Sequence, residues 1–82
     1  MVEYDYSPNF KRLFKKIKDE KLKEKITKQI LKIIEEPDVG KPMRFSRKGT
    51  REVYVKPFRL SYEYRTRENK IIFADLYHKD EQ

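Results

Sequence analysis

The sequence predicts an α+β fold: an N-terminal strand, a helical hairpin, then three strands, with the hairpin packed on one face of a mostly antiparallel four-stranded sheet (β-α-α-β-β-β). Three observations carry this. Apolar residues recur at helical spacing through the first half of the chain, at Phe10, Leu13, Phe14 and Ile17 and again at Leu22, Ile26, Ile30, Ile33 and Ile34. They switch to period two in the second half, where Phe58, Leu60, Tyr62 and Tyr64 alternate with Arg59, Ser61, Glu63 and Arg65. Finally, 82 residues provide for one small core, so residues 1–82 read as a single domain.

Each element has its own local signals. Val2, Tyr4 and Tyr6 alternate with Glu3 and Asp5, the pattern of a short half-buried strand. Ser7-Pro8 opens the first helix, because serine caps and proline is tolerated at the first helical position. Asp19-Glu20 interrupts the basic run and starts the second helix, which Pro37 ends. A short link makes the two an antiparallel hairpin. Residues 37–50, with Pro37, Gly40, Pro42 and Gly49, read as loop with a short extended piece at Met43–Phe45. Arg51–Lys56 is a strand and Pro57 a tight connection. The Phe58–Arg65 strand follows, then a turn at Arg67–Lys70 and a last strand, Ile71–Tyr77, apolar enough to lie centrally. On the sheet face away from the helices, alternation sets Glu52, Tyr54 and Lys56 beside Arg59 and Ser61.

Composition excludes several classes. No run approaches the ~20 apolar residues of a membrane span, and Met1 is followed by Val2-Glu3-Tyr4-Asp5 rather than a secretory signal. The expectation is a cytoplasmic protein with no membrane partner. Absence of cysteine removes disulfides and thiolate sites, and a lone histidine, His78, removes paired-histidine metal sites. Two glycines are too few for a dinucleotide fingerprint or phosphate loop. No cofactor and no metal are expected. The formal net charge is +7, and the excess sits in residues 41–70, which hold ten Lys/Arg against three Asp/Glu and six of the seven arginines. Arginine's planar fork suits bidentate phosphate binding, so this block points to a polyanion such as nucleic acid.

Gly40-Lys41-Pro42 through Gly49, then Tyr54, Phe58-Arg59-Leu60-Ser61-Tyr62 and Leu76-Tyr77-His78-Lys79, resemble the RelE/ParE toxin superfamily, over nearly the whole chain. The aromatic-Arg-Leu-x-Tyr strand after a tight turn is the most specific piece. The Gly-Lys-Pro loop and the Tyr-His near the end resemble the YoeB toxins. The resemblance implies the toxin of a toxin–antitoxin pair, of RelE type: a ribosome-dependent, metal-independent endoribonuclease that cuts messenger RNA and stops translation. It implies as partners the ribosome, mRNA and a small RelB-like antitoxin, acidic and folding on binding, in a heterotetramer. ParE-like members share the fold but inhibit DNA gyrase without a ribonuclease site. A plain RNA-binding module is a third reading.

Cleavage of this kind uses the adjacent 2′-hydroxyl as nucleophile. It needs a base for that proton, an acid for the 5′-oxygen and cations for the phosphorane charge. The resemblance places Arg59 on the scissile phosphate and His78, the one side chain with an unperturbed pKa near neutrality, as general acid. Lys79 falls where RelE keeps a second arginine. Two family lysines fall on Glu52 and Tyr54, and the YoeB carboxylate falls on Met43. Glu52 is then the nearest carboxylate on the open face and the expected base. Lys41, Arg44, Arg47, Lys48, Arg51 and Lys56 form the expected RNA-binding footprint, with Tyr54 and Tyr77 stacking on bases.

Overall fold

The computed structural model describes residues 2–43 and 49–78. Its elements are β1 (Glu3–Tyr6), α1 (Pro8–Lys16), α2 (Glu20–Glu35), β2 (Lys41–Pro42), β3 (Thr50–Val55), β4 (Phe58–Arg65) and β5 (Lys70–His78). The order is the expected one with a strand added. The sheet has five strands in the order β1-β5-β4-β3-β2, not four. The extra strand is Lys41–Pro42, which pairs with Arg51 and Glu52. The short extended piece thus lies two residues earlier than Met43–Phe45, whose last two residues fall outside the described ones.

Both helices begin where the capping chemistry places them. The Ser7 hydroxyl accepts from the Phe10 amide at 3.0 Å, and an Asp19 carboxylate oxygen accepts from the amides of Lys21 and Leu22. The Glu36 amide still reaches the Lys32 carbonyl, and Pro37 stops the ladder. The helices bury one face each. Phe10 from α1 and Ile26, Ile30 and Ile33 from α2 meet Val55, Leu60, Tyr62, Ile71, Phe73 and Leu76 from the sheet. Tyr6, Phe10 and Phe73 form a triangle of rings: Tyr6 stacks on each of the others at 5.6 and 5.2 Å, and these lie 6.0 Å apart.

β5 is central, as its apolar run predicts: it pairs in parallel with β1 and antiparallel with β4. Its register carries one irregularity. Tyr62 pairs with Phe73 and Ser61 with Asp75, so Ala74 is an extra residue, a β-bulge. Ile71 and Phe73 face the helices before the bulge, and Leu76 does so after it. The bulged Ala74 carbonyl accepts the Ser7 hydroxyl at 2.8 Å, tying the N-terminus of α1 to the sheet.

The loop after α2 is fixed from below. The Tyr62 hydroxyl, fully buried, donates to the Pro37 carbonyl at 2.6 Å and accepts from the Gly40 amide at 2.9 Å. Gly40 must be glycine: a Cβ there would meet the Tyr62 hydroxyl oxygen at 2.5 Å. Arg51 seals the same loop, donating to the carbonyls of Asp38 and Gly40 at 3.0 and 2.7 Å. This clasp delivers Lys41 to the edge of the sheet. Tyr62→Phe leaves the Gly40 amide and Pro37 carbonyl unpaired and should cost about 1–3 kcal/mol in urea unfolding. Burial raises the Tyr62 phenol above its ordinary value of 10.0, partly offset by the Gly40 amide and Arg51. The folded state therefore holds this proton more tightly than the unfolded one. The contribution of this group to stability should be level below about pH 10 and fall above it, so the alkaline loss should be less steep in Tyr62→Phe.

Candidate functional site

The sheet face away from the helices is bare among the described residues, and the strand register arranges it in two cross-strand rows. Lys41, Glu52 and Ser61 lie side by side on β2, β3 and β4. Tyr54, Arg59 and Tyr77 form the next row on β3, β4 and β5. Ser61 is small and buried, which leaves the diagonal between the rows open. Arg59 reaches across it: Nη1 meets Glu52 Oε1 at 2.6 Å. The Tyr77 hydroxyl donates to the other oxygen, Oε2, at 2.7 Å. Three strands thus contribute one charged, hydrogen-bonded group. The pair is partly screened, with the Arg59 side chain 30% exposed and that of Glu52 18%.

Arg59 has one unmet need. Its Nε is buried and, among the described residues, has no hydrogen-bond partner. Leaving such a donor unpaired costs about 1–3 kcal/mol, so the group calls for an acceptor. Lys41, Glu52, Tyr54 and Arg59 line a cavity of about 370 Å³ here. Tyr54 is half exposed, which suits a stacking platform. The arrangement offers two cations, a carboxylate and a phenol around one small space, with the Tyr77 hydroxyl behind the carboxylate.

The expected site residues divide. Arg59, Glu52, Tyr54, Lys41 and Tyr77 converge. Tyr77 does so through its hydroxyl on Glu52, a role the base-stacking expectation missed. Lys56 is exposed in the β3–β4 turn, outside the cavity. Arg51 does not join this cluster: its guanidinium bonds Asp38, at 3.3 Å, and the two loop carbonyls. Arg44, Arg47, Lys48 and Lys79 lie outside the described residues. His78 is brought to the other face: it pairs with Phe58, the two rings meet edge-on at 5.5 Å, and it lines a cavity with Leu13, Ile17 and Leu22 under the helices. The bulge at Ala74 is the reason, since it reverses which residues of β5 face which side.

A second concave surface, absent from the sequence reading, lies between the hairpin and β1. Phe10, Phe14, Ile30, Leu31, Ile34, Tyr4 and Tyr6 line a groove of about 670 Å³, bordered by Lys11, Arg12 and Lys15. Leu31 is 57% exposed. Its place off the periodic stripe of α2 was the available signal. Among the described residues, no helix is long and apolar enough to cross a membrane.

The fold of this chain matches those of solved structures from bacterial and archaeal toxin–antitoxin systems. A chain of the intact E. coli RelBE toxin–antitoxin complex superposes with a TM-score of 0.80 at 12% identity, covering 95% of this chain and 96% of that one. A chain of the RelBE2 complex of Mycobacterium tuberculosis gives 0.80 at 19%, covering 95% and 98%. E. coli YafQ gives 0.74 at 19%, covering 98% and 96%. A search of curated proteins by sequence found no match. Residues 4–82 match the model of the family described as the ParE toxin of the type II toxin–antitoxin system parDE, and the chain belongs to that family.

The Arg59–Glu52 contact is open to a double-mutant cycle. Arg59→Ala, Glu52→Ala and the double variant, compared by denaturant unfolding, should give a coupling energy of about 1–2 kcal/mol.

Proposed function

We propose that this chain is an RNA-cleaving toxin of RelE type, acting on ribosome-bound message through the cleft around Arg59. One observation supports it above others: a buried arginine Nε without an acceptor, beside a lysine, a carboxylate and an exposed tyrosine. In this reading Arg59 holds the scissile phosphate and Tyr54 stacks on a flanking base. Glu52 takes the 2′-hydroxyl proton as the 2′-oxygen bonds to phosphorus. The bond to the 5′-oxygen breaks, and that oxygen takes a proton from Lys41 or Tyr54, the ammonium and hydroxyl donors lining the cavity. The products are a 2′,3′-cyclic phosphate and a 5′-hydroxyl. Lys79, Arg44, Arg47 and Lys48 are the further cations that the sequence offers to the RNA.

The partner in this reading is a small acidic antitoxin, folding on binding into a heterotetramer. The E. coli and M. tuberculosis relatives are complexes of toxin with antitoxin. The groove beside α1 has what such a chain needs, an apolar floor and three cations at its border. Leu31→Lys should weaken capture of the antitoxin in a pull-down and leave RNA cleavage intact.

A second reading, ParE-like inhibition of gyrase without RNA cleavage, is favoured by one observation: Glu52 already neutralises Arg59. Toeprinting separates the two. Purified chain on a ribosome stalled at a defined codon should create a new 3′ end in the decoding site. Arg59→Ala should abolish it, whereas His78→Ala, altered on the far face of the sheet, should keep it. No new end, together with loss of supercoiling in a gyrase assay, would establish the second reading.

A further inference from the structure

We infer that Glu52 is a latch on the site: an internal counter-anion that holds Arg59 turned away from phosphate, so that a phosphodiester binds only by displacing it. This rests on the reading of Arg59 as the phosphate-holding group and adds how that group is kept closed. Glu52 is held at both oxygens, by Arg59 Nη1 at 2.6 Å and by the Tyr77 hydroxyl at 2.7 Å. Three adjacent strands set this geometry, so the carboxylate is fixed in position rather than free to swing.

The contact with Arg59 is single. A guanidinium binds carboxylate or phosphate best through two parallel N–H groups. Here Glu52 takes one terminal nitrogen and leaves Nε buried and without an acceptor among the described residues. The held orientation therefore wastes a donor and seals it from solvent. A phosphodiester offers two non-bridging oxygens, enough to take Nε and a terminal nitrogen together. To present that edge the guanidinium must rotate, and rotation breaks the bond to Glu52. Opening the latch also releases Glu52 Oε1, the oxygen that the proposed mechanism needs as a proton acceptor. Phosphate arrival and liberation of the base become one event.

Charge sets the size of the effect. Lys41 stands directly opposite Glu52 in the register, so the cleft carries two cations and one anion. Removing the anion leaves both cations for the ligand.

The test uses the full chain with inorganic phosphate and a single-stranded RNA 12-mer, 2′-O-methylated so that it cannot be cut. Binding of phosphate is followed at the Arg59 Nε–H resonance. Glu52→Gln should bind both ligands about tenfold more tightly, a like charge a few ångströms from the anion having been removed. The salt dependence for RNA should steepen by about 0.7 in log–log slope, one more phosphate neutralised. Glu63→Gln is the control. Glu63 lies on the same face of β4, about 13 Å from Arg59 along the strand, and its charge is already paired with Arg65. It should change little. Glu52→Asp keeps the charge but draws the carboxylate back by one methylene, so it should gain about threefold, and it serves if Glu52→Gln fails to fold. Equal or weaker phosphate binding in both Glu52 variants would overturn the latch. Tighter phosphate binding with no RNA bound by any variant would keep the latch and remove the RNA reading. If phosphate shifts Nε–H in none of the proteins, Arg59 is not a phosphate group and both fall together.

Discussion

The structure turns on the extra residue in its central strand pair. β4 and β5 form the longest ladder in the sheet, and both faces of the protein are built on it. With strict alternation, a strand that buries Ile71 and Phe73 would also bury residues 75 and 77 and leave 76 and 78 outside. The bulge at Ala74 changes that parity. Leu76 then completes the core, Tyr77 emerges on the bare face and His78 goes under the helices beside Phe58. The same bulge turns a carbonyl toward Ser7 and fixes where α1 starts. One unpaired residue thus decides the composition of the site and anchors the layer that covers the core.

The polar groups show how a small core carries an exposed site. Tyr62 is the hinge between the two. Its ring lies in the core among Phe73 and its neighbours, and its hydroxyl holds the loop that positions Lys41. Arg51 and Arg59 sit on adjacent strands and differ only in direction. Arg51 points to the loop side and is used up by backbone carbonyls and Asp38. Arg59 points to the bare side and meets one carboxylate oxygen. Half-buried arginines such as these need partners for the donors they take out of water. Arg51 meets that condition and has a structural role, while Arg59 meets it incompletely and marks the cleft.

Much was legible in the residues themselves. Helical spacing from Phe10 to Ile34 and alternation from Phe58 to Arg65 gave both layers, because each period defines a face that must be buried. Ser7, Asp19 and Pro37 set helix ends through local hydrogen bonding and ring sterics. Alternation also placed Glu52, Tyr54 and Arg59 on one face, since β3 and β4 pair without a shift.

The rest needed three dimensions. Whether Lys41–Pro42 becomes a strand depends on hydrogen bonds from Tyr62 and Arg51, at least nine residues away in sequence. Whether Arg51 serves RNA or the fold depends on which carbonyls the loop brings to it. Whether Tyr77 or His78 joins Arg59 depends on a bulge that no local pattern announces, although the jump from Phe73 to Leu76 in the apolar spacing is its trace. Sequence alone determines what is set by period and by neighbours within a few residues: the elements, their buried faces and one cross-strand patch. Tertiary structure decides register across strands and the destination of each long polar side chain, because both depend on partners distant in the chain.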